Sequence, residues 1–196
     1  MMATVLATRR IGLTRLLFIP LLAYIILTPP WETRNYLSLL VEILGYVCLV
    51  VATLGRVWCL TYIGGYKQAT LITDGPYSIV RNPLYLFSFI GGVGLGLATE
   101  HPTVALVILC AFGLYYPFVV DKEEHLLEEL HGEPFLEYKQ RTPRWIPHFK
   151  GFTEPEVWQV KPIFIRRGML SAMWFLWLYM AWEIIEKLQS HGVISG

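Results

Sequence analysis

Residues Gly75 to Tyr85 read GPYSIVRNPLY, and the run Leu84–Ala98 that follows is apolar. A second apolar run, Thr103–Val120, leads into KEEHLLEELHGEPFLEYKQRTPRWIP, Lys122 to Pro147. A polar turn rich in proline and tyrosine therefore stands at one end of an apolar hairpin. An acidic helix follows at the same end. That order predicts a polar small-molecule site at a membrane surface.

Outward from this stretch, the chain is apolar throughout. It is 55% hydrophobic and 16% charged over 196 residues, with mean hydropathy +0.48; a soluble domain carries about 25% charged residues. The expected fold class is all-α, an integral-membrane helical bundle. Apolar runs of near-spanning length fall at Ile11–Thr28, Leu37–Trp58, Leu84–Ala98, Thr103–Val120 and Gly168–Ile185. Five crossings are expected, the short third one passing as half of a tight hairpin turned at Thr99–Pro102. The first run lacks a small-residue cleavage site and reads as an uncleaved span. Three units follow: residues 1–68 with two crossings, 69–150 with the turn, hairpin and acidic helix, and 151–196 with an interfacial segment and the last crossing.

Lysine and arginine positions orient the bundle. With the N-terminus inside, 14 of the 16 basic residues fall on the cytoplasmic side, Arg56, Lys67 and Arg81 among them. Only Arg34 and Lys187 fall outside. The expected protein is multi-pass, with its N-terminus and polar site cytoplasmic. Net charge is +1, and no basic patch for nucleic acid is visible. Cys48, Cys59 and Cys110 form no CxxC pair and read as small packing residues. His125 and His131 lie on different helix faces, and no metal site is expected. Glu42 and Glu183 lie within spans; each stands about one to one and a half turns from its span's outer end and reads as a snorkelling carboxylate, a functional role being the alternative.

Within the turn, Asn82 is expected to cap the third span and Pro83 to open it. This accounts for neither Arg81 nor Tyr77 and Tyr85. The helix start also suits a carboxylate or phosphate. The glycines of GGVGLG, Gly91 to Gly96, follow no strand. They allow close helix approach or close approach of a cofactor. Pro117 is expected to kink the fourth span near Tyr115 and Tyr116. That span continues as a helix, Asp121 to His131, with Leu126, Leu127 and Leu130 on one face and Glu124 and Glu128 on another, until Gly132 ends it. Pro134 starts a second helix bearing Phe135 and Tyr138. Thr142 to Pro147 returns extended, and Trp158, Arg166 and Arg167 read as interfacial anchors ahead of the last span. No Ser/His/Asp or Cys/His arrangement and no P-loop is present. A reaction without a protein nucleophile fits, methyl transfer being one, where the protein supplies positioning and electrostatics.

From Ala69 to Pro147 the chain resembles the integral-membrane methyltransferases that include isoprenylcysteine carboxyl methyltransferase and phospholipid N-methyltransferases. That family's pattern is a Gly-x-Tyr turn, Arg-His-Pro-x-Tyr, a membrane hairpin, Glu-Glu-x-x-Leu, a later glycine, a tyrosine and a closing proline. Here it reads Gly75 and Tyr77, Arg81-Asn82-Pro83-Leu84-Tyr85, Glu123, Glu124 and Leu127, then Gly132, Tyr138 and Pro147. The resemblance implies S-adenosylmethionine as cofactor and a lipid-like or small hydrophobic acceptor entering from the bilayer. It implies a cofactor pocket lined by Ala69, Thr70, Leu71, Ile72, Tyr77, Asn82, Pro83, Leu84, Tyr85, Glu123 and Glu124, with Arg81 and Arg144 as catalytic candidates. Two departures stand out. Asn82 replaces the usual histidine and cannot transfer a proton near neutral pH. Val119 stands where an acceptor-side arginine aligns, and Arg144 is the candidate replacement. A sterol-reductase-like protein using NADPH and a non-catalytic membrane scaffold are the alternatives; the first would need a basic cluster near Asp74–Tyr85 that the sequence lacks.

Overall fold

The computed structural model describes residues 35–66, 69–100 and 102–191. The first expected crossing, with Arg9, Arg10, Arg15, Arg34 and Lys67, lies outside the described residues. Seven α-helices are described: α1 (Tyr36–Ile63), α2 (Pro76–Ile79), α3 (Pro83–Ala98), α4 (Pro102–His131), α5 (Glu133–Arg141), α6 (Pro162–Ala172) and α7 (Trp174–Ser190). A 3₁₀ turn, Phe149–Gly151, precedes α6. Among the described residues the fold is entirely helical, an integral-membrane bundle as the composition predicts.

Three stretches are long and apolar enough to cross a membrane: Tyr36–Ile63, Thr103–His131 and Pro162–Leu188. Helix α3 has 16 residues, about 24 Å at 1.5 Å per residue, short of a hydrocarbon core of about 30 Å. Its partner α4 has 30 residues, about 45 Å, so one end projects well beyond the apolar layer. That projecting end carries the acidic segment, and the continuity expected through Asp121 holds. Large apolar side chains on α1 and α4, such as Leu40, Leu54, Leu114 and Phe118, are exposed. Facing lipid, they carry no aqueous penalty.

Glycines set the helix spacing. A Cβ at Gly94 would meet Cys48 Cβ at 2.7 Å and Gly45 O at 2.9 Å, so α3 lies directly on α1. A Cβ at Gly96 would strike the Ala105 backbone of α4, and one at Gly91 would meet Phe175 of α7 at 2.8 Å. The GGVGLG run is thus a close-packing surface. None of its four glycines lines the cavity described below.

Three expectations are corrected here. The last span begins at Pro162, so Arg166 and Arg167 are part of α6 and not anchors ahead of it. At Met173 the helix tightens, yet Met173 N–H still reaches Met169 O at 2.9 Å and Trp177 N–H reaches Met173 O at 3.0 Å. Trp158 is also tied into the fold and does not stand apart ahead of the span: it stacks on Tyr62 at 5.2 Å and donates to Thr61 O at 3.0 Å. Third, Glu42 and Glu183 do not snorkel independently. Tyr46 donates to Glu42, Tyr179 donates to Glu183, and the two hydroxyls touch, with rings edge-on at 4.9 Å. Each tyrosine is one helical turn from its glutamate, and α1 and α7 bring the pairs together.

Candidate functional site

The turn is built from Gly75. Its φ is +59°, and a side chain there would run into the Tyr62 ring. Only glycine meets both demands. Pro76 then opens the single turn of α2. Ser78 Oγ donates to Gly75 O at 2.7 Å and accepts from Thr153 N–H at 3.0 Å. Gly75 N–H donates to Thr153 O at 2.8 Å, Arg81 N–H to Pro143 O at 2.9 Å, and His148 N–H to Ile79 O at 2.8 Å. The returning segment is therefore laced along the turn by backbone bonds, but it is bent at Thr142 and at residues 144–146 where an extended run was expected.

Behind the turn lies a charge network centred on Glu124. Its side chain is only 8% exposed. It accepts from Arg81 Nε at 3.1 Å, Arg81 Nη2 at 3.4 Å and Asn82 Nδ2 at 3.2 Å. Arg144 Nε lies 3.4 Å from the same carboxylate, and Arg144 also pairs with Asp121. Arg81 Nη1 donates further to Lys139 O at 2.8 Å and Thr142 O at 2.6 Å. One buried carboxylate thus ties α4 to the turn, the end of α5 and the returning segment. Asn82 holds the N-cap position of α3 but makes no side-chain cap bond. The ionised carboxylate is the stronger partner, and it draws the amide away from the helix end.

Against this network rests a cavity of about 370 Å³, within the range of small-molecule sites. Of the residues nominated from sequence, Thr70, Leu71, Ile72, Tyr77, Arg81, Asn82, Leu84, Tyr85, Glu123 and Glu124 line it. Ala69, Pro83 and Arg144 do not. Pro83 is buried behind the wall, and Arg144 acts on it through Glu124. Val119 is buried but is not on the wall. Sequence reasoning did not nominate Arg56, Leu60, Ile63, Ser88, Tyr116, Leu127, Phe135 or Tyr138, all from the helical part of the wall. Arg56 had been assigned to a cytoplasmic segment. It stands inside α1, two turns before its end, and a cation within an apolar run was the available signal.

Tyr77 and Tyr138 shape the wall beside the turn. Tyr138 donates to Tyr77 O at 2.7 Å. Burial holds both hydroxyls well above the usual tyrosine range, so they stay neutral donors; for Tyr138 the nearby Arg81 and Arg141 pull only weakly the other way. Tyr77 Oη is buried and has no hydrogen-bond partner in the fold. Tyr85 and Tyr116 meet edge-on at 5.1 Å and form an aromatic side of the cavity. Among the described residues no group of three His, Cys, Asp or Glu side chains is placed to hold a metal ion.

Comparison with known families matches residues 33–134, just over half of the chain, to the phospholipid methyltransferase family. The chain belongs to that family. Its match contains the turn, the hairpin and the acidic helix, so the resemblance read from Ala69 to Pro147 holds over its part up to residue 134. The proteins similar to this chain differ in what their names describe. The chain is 35% identical over 191 residues to the cobalt-zinc-cadmium resistance protein CzcN of Cupriavidus metallidurans, covering 97% of this chain and 88% of the relative. It is 36% identical over 182 residues to the nickel-cobalt-cadmium resistance protein NccN of Alcaligenes xylosoxydans xylosoxydans, covering 92% and 84%. With protein-S-isoprenylcysteine O-methyltransferase B of Arabidopsis thaliana it shares 29% over 120 residues, 60% of each chain. No solved structure matches.

Proposed function

We propose that the cavity binds S-adenosylmethionine and that the protein transfers its methyl group to a membrane-soluble, lipid-like acceptor. The observation that carries this reading is the unpartnered, buried Tyr77 hydroxyl on the wall of a cavity that the family's turn and acidic helix build together. An orphaned buried donor has a cost unless a ligand satisfies it. The other wall residues suit the same cofactor. Glu123 offers a carboxylate for ribose hydroxyls or an amine, and Tyr85 and Tyr116 offer aromatic faces to an adenine or a cation. When bound, S-adenosylmethionine supplies an electrophilic methyl group on a sulfonium.

The chain's own part is to position and to exclude water. Arg81 and Arg144 act by holding Glu124, and through it the turn. Asn82 orients within the same network and transfers no proton. The basic residues at the site end support a cytoplasmic site in a multi-pass protein. The names of CzcN and NccN support a setting in metal tolerance for the methylated product.

Calorimetric titration of S-adenosylhomocysteine into protein in lipid nanodiscs tests the reading, with NADPH in parallel. Micromolar binding is expected for the wild type, with at least about tenfold weaker binding for Tyr85→Ala and Glu123→Ala, the loss of one to two good polar or stacking contacts. Unchanged affinity in both variants sinks the site. No binding by the wild type overturns the function and leaves a membrane scaffold, and NADPH binding alone would point to a reductase.

A further inference from the structure

The cavity wall holds a charge that the proposed function does not use. Arg56 stands about 10 Å inside the end of α1, at 1.5 Å per residue. Its Nη1 donates to Ser88 Oγ on α3. Ser88 gives its own proton to Leu84 O at 2.6 Å, so its oxygen is a fixed acceptor that holds one edge of the guanidinium. Nη2 reaches Ser171 Oγ on α6 at 3.4 Å, and the Phe175 ring lies 5.9 Å away. Nε is buried and has no partner. Among the described residues no carboxylate pairs with Arg56. An arginine among apolar helices without a counter-ion is costly. A planar fork with a free donor matches an anionic oxygen pair.

We propose that Arg56 is a recognition site for an anionic oxygen group, a carboxylate or a phosphate, carried by a membrane-soluble acceptor. One contact of Arg56 assigns this group to the acceptor and not to the cofactor. The other edge of its guanidinium reaches Ser171, which is exposed on the apolar α6. The same guanidinium therefore connects the cavity to the lipid-facing surface. Calling the ligand an acceptor rests on the proposed function; the anion site itself does not.

The test uses the full chain in nanodiscs of neutral phosphatidylcholine, with tryptophan quenching by 11-bromoundecanoate and by 11-bromoundecanol. The wild type is expected to bind the carboxylate at least about tenfold more tightly than the alcohol, the scale of one charged hydrogen-bonded contact. Arg56→Gln is expected to bring the two within about twofold, and Arg56→Lys, which keeps charge without the fork, to keep part of the preference. S-adenosylhomocysteine titrated into the same discs separates the sources. Its affinity is expected to stay within about threefold in Arg56→Gln. No preference in the wild type, or a preference that survives Arg56→Gln, overturns the proposal. So does competition, in which saturating S-adenosylhomocysteine expels the carboxylate and Arg56→Gln loses the nucleoside: the guanidinium then serves the cofactor. If Arg56→Gln fails to fold, an undiminished preference in Arg56→Lys and Ser88→Ala overturns it equally. Failure of S-adenosylhomocysteine binding alone would sink the functional reading and leave the carboxylate preference to be judged on its own signal.

Discussion

Arg81 and Arg56 both line one cavity, and the fold treats them in opposite ways. At the turn, Arg81 is enclosed: a buried glutamate and two backbone carbonyls take up its guanidinium. Among the helices, Arg56 has two serines and one free donor, and no carboxylate among the described residues. A closed network stabilises the polypeptide, whereas an open one is a place for something else. The comparison separates bracing from binding among residues that a sequence reading groups together.

The largest expected effect comes from breaking the closed network. Glu124→Ala would leave Arg81 buried with its carboxylate gone, at a cost of about 3–5 kcal/mol. Thermal unfolding in detergent should show the loss, and an unchanged midpoint would mean that the network contributes nothing to the fold. A smaller effect is expected from Gly75→Ala. The positive φ and the Tyr62 ring together should cost about 1–3 kcal/mol, read from the same unfolding curves; a neutral outcome would show that the turn relaxes freely. Smallest is Arg56→Met. Replacing an unpaired charge among apolar helices with an apolar side chain of similar length should leave stability unchanged or slightly raised. A clear drop would show that the Ser88 and Ser171 contacts brace the bundle, and the contrast between the two arginines would fail.

How legible the site was depends on where its residues sit in the chain. Arg81, Asn82, Leu84 and Tyr85 are neighbours at a helix start, where proline and asparagine announce a boundary and leave the remaining residues in need of a reason. Glu123 and Glu124 follow one predictable hairpin later. Ten of the thirteen nominated residues accordingly line the cavity. The partnership within the site was not legible. Adjacent Glu123 and Glu124 look alike in sequence, yet only Glu124 faces Arg81 and Arg144, because one residue along a helix turns the side chain by about 100°. Arg56 was misassigned because a window of apolar residues locates a helix end only to within a turn or two. Glu42 and Glu183 looked like separate snorkelling carboxylates within spans, and only the packing of α1 on α7 puts Tyr46 and Tyr179 between them.

By itself the sequence determined the class of the protein, an apolar helical bundle with a polar turn and an acidic helix at one end. Hydrophobic period, proline and glycine act locally, so they can be read without knowing any contact. It also determined the family, because the turn, the hairpin and the acidic helix recur in fixed order along one short stretch. The tertiary structure alone decided which charges cancel. Arg81 meets Glu124 across 43 residues of chain, and Arg56 meets no carboxylate among the described residues. Pairing depends on distance in space, and electrostatic energy falls with that distance regardless of how many residues lie between.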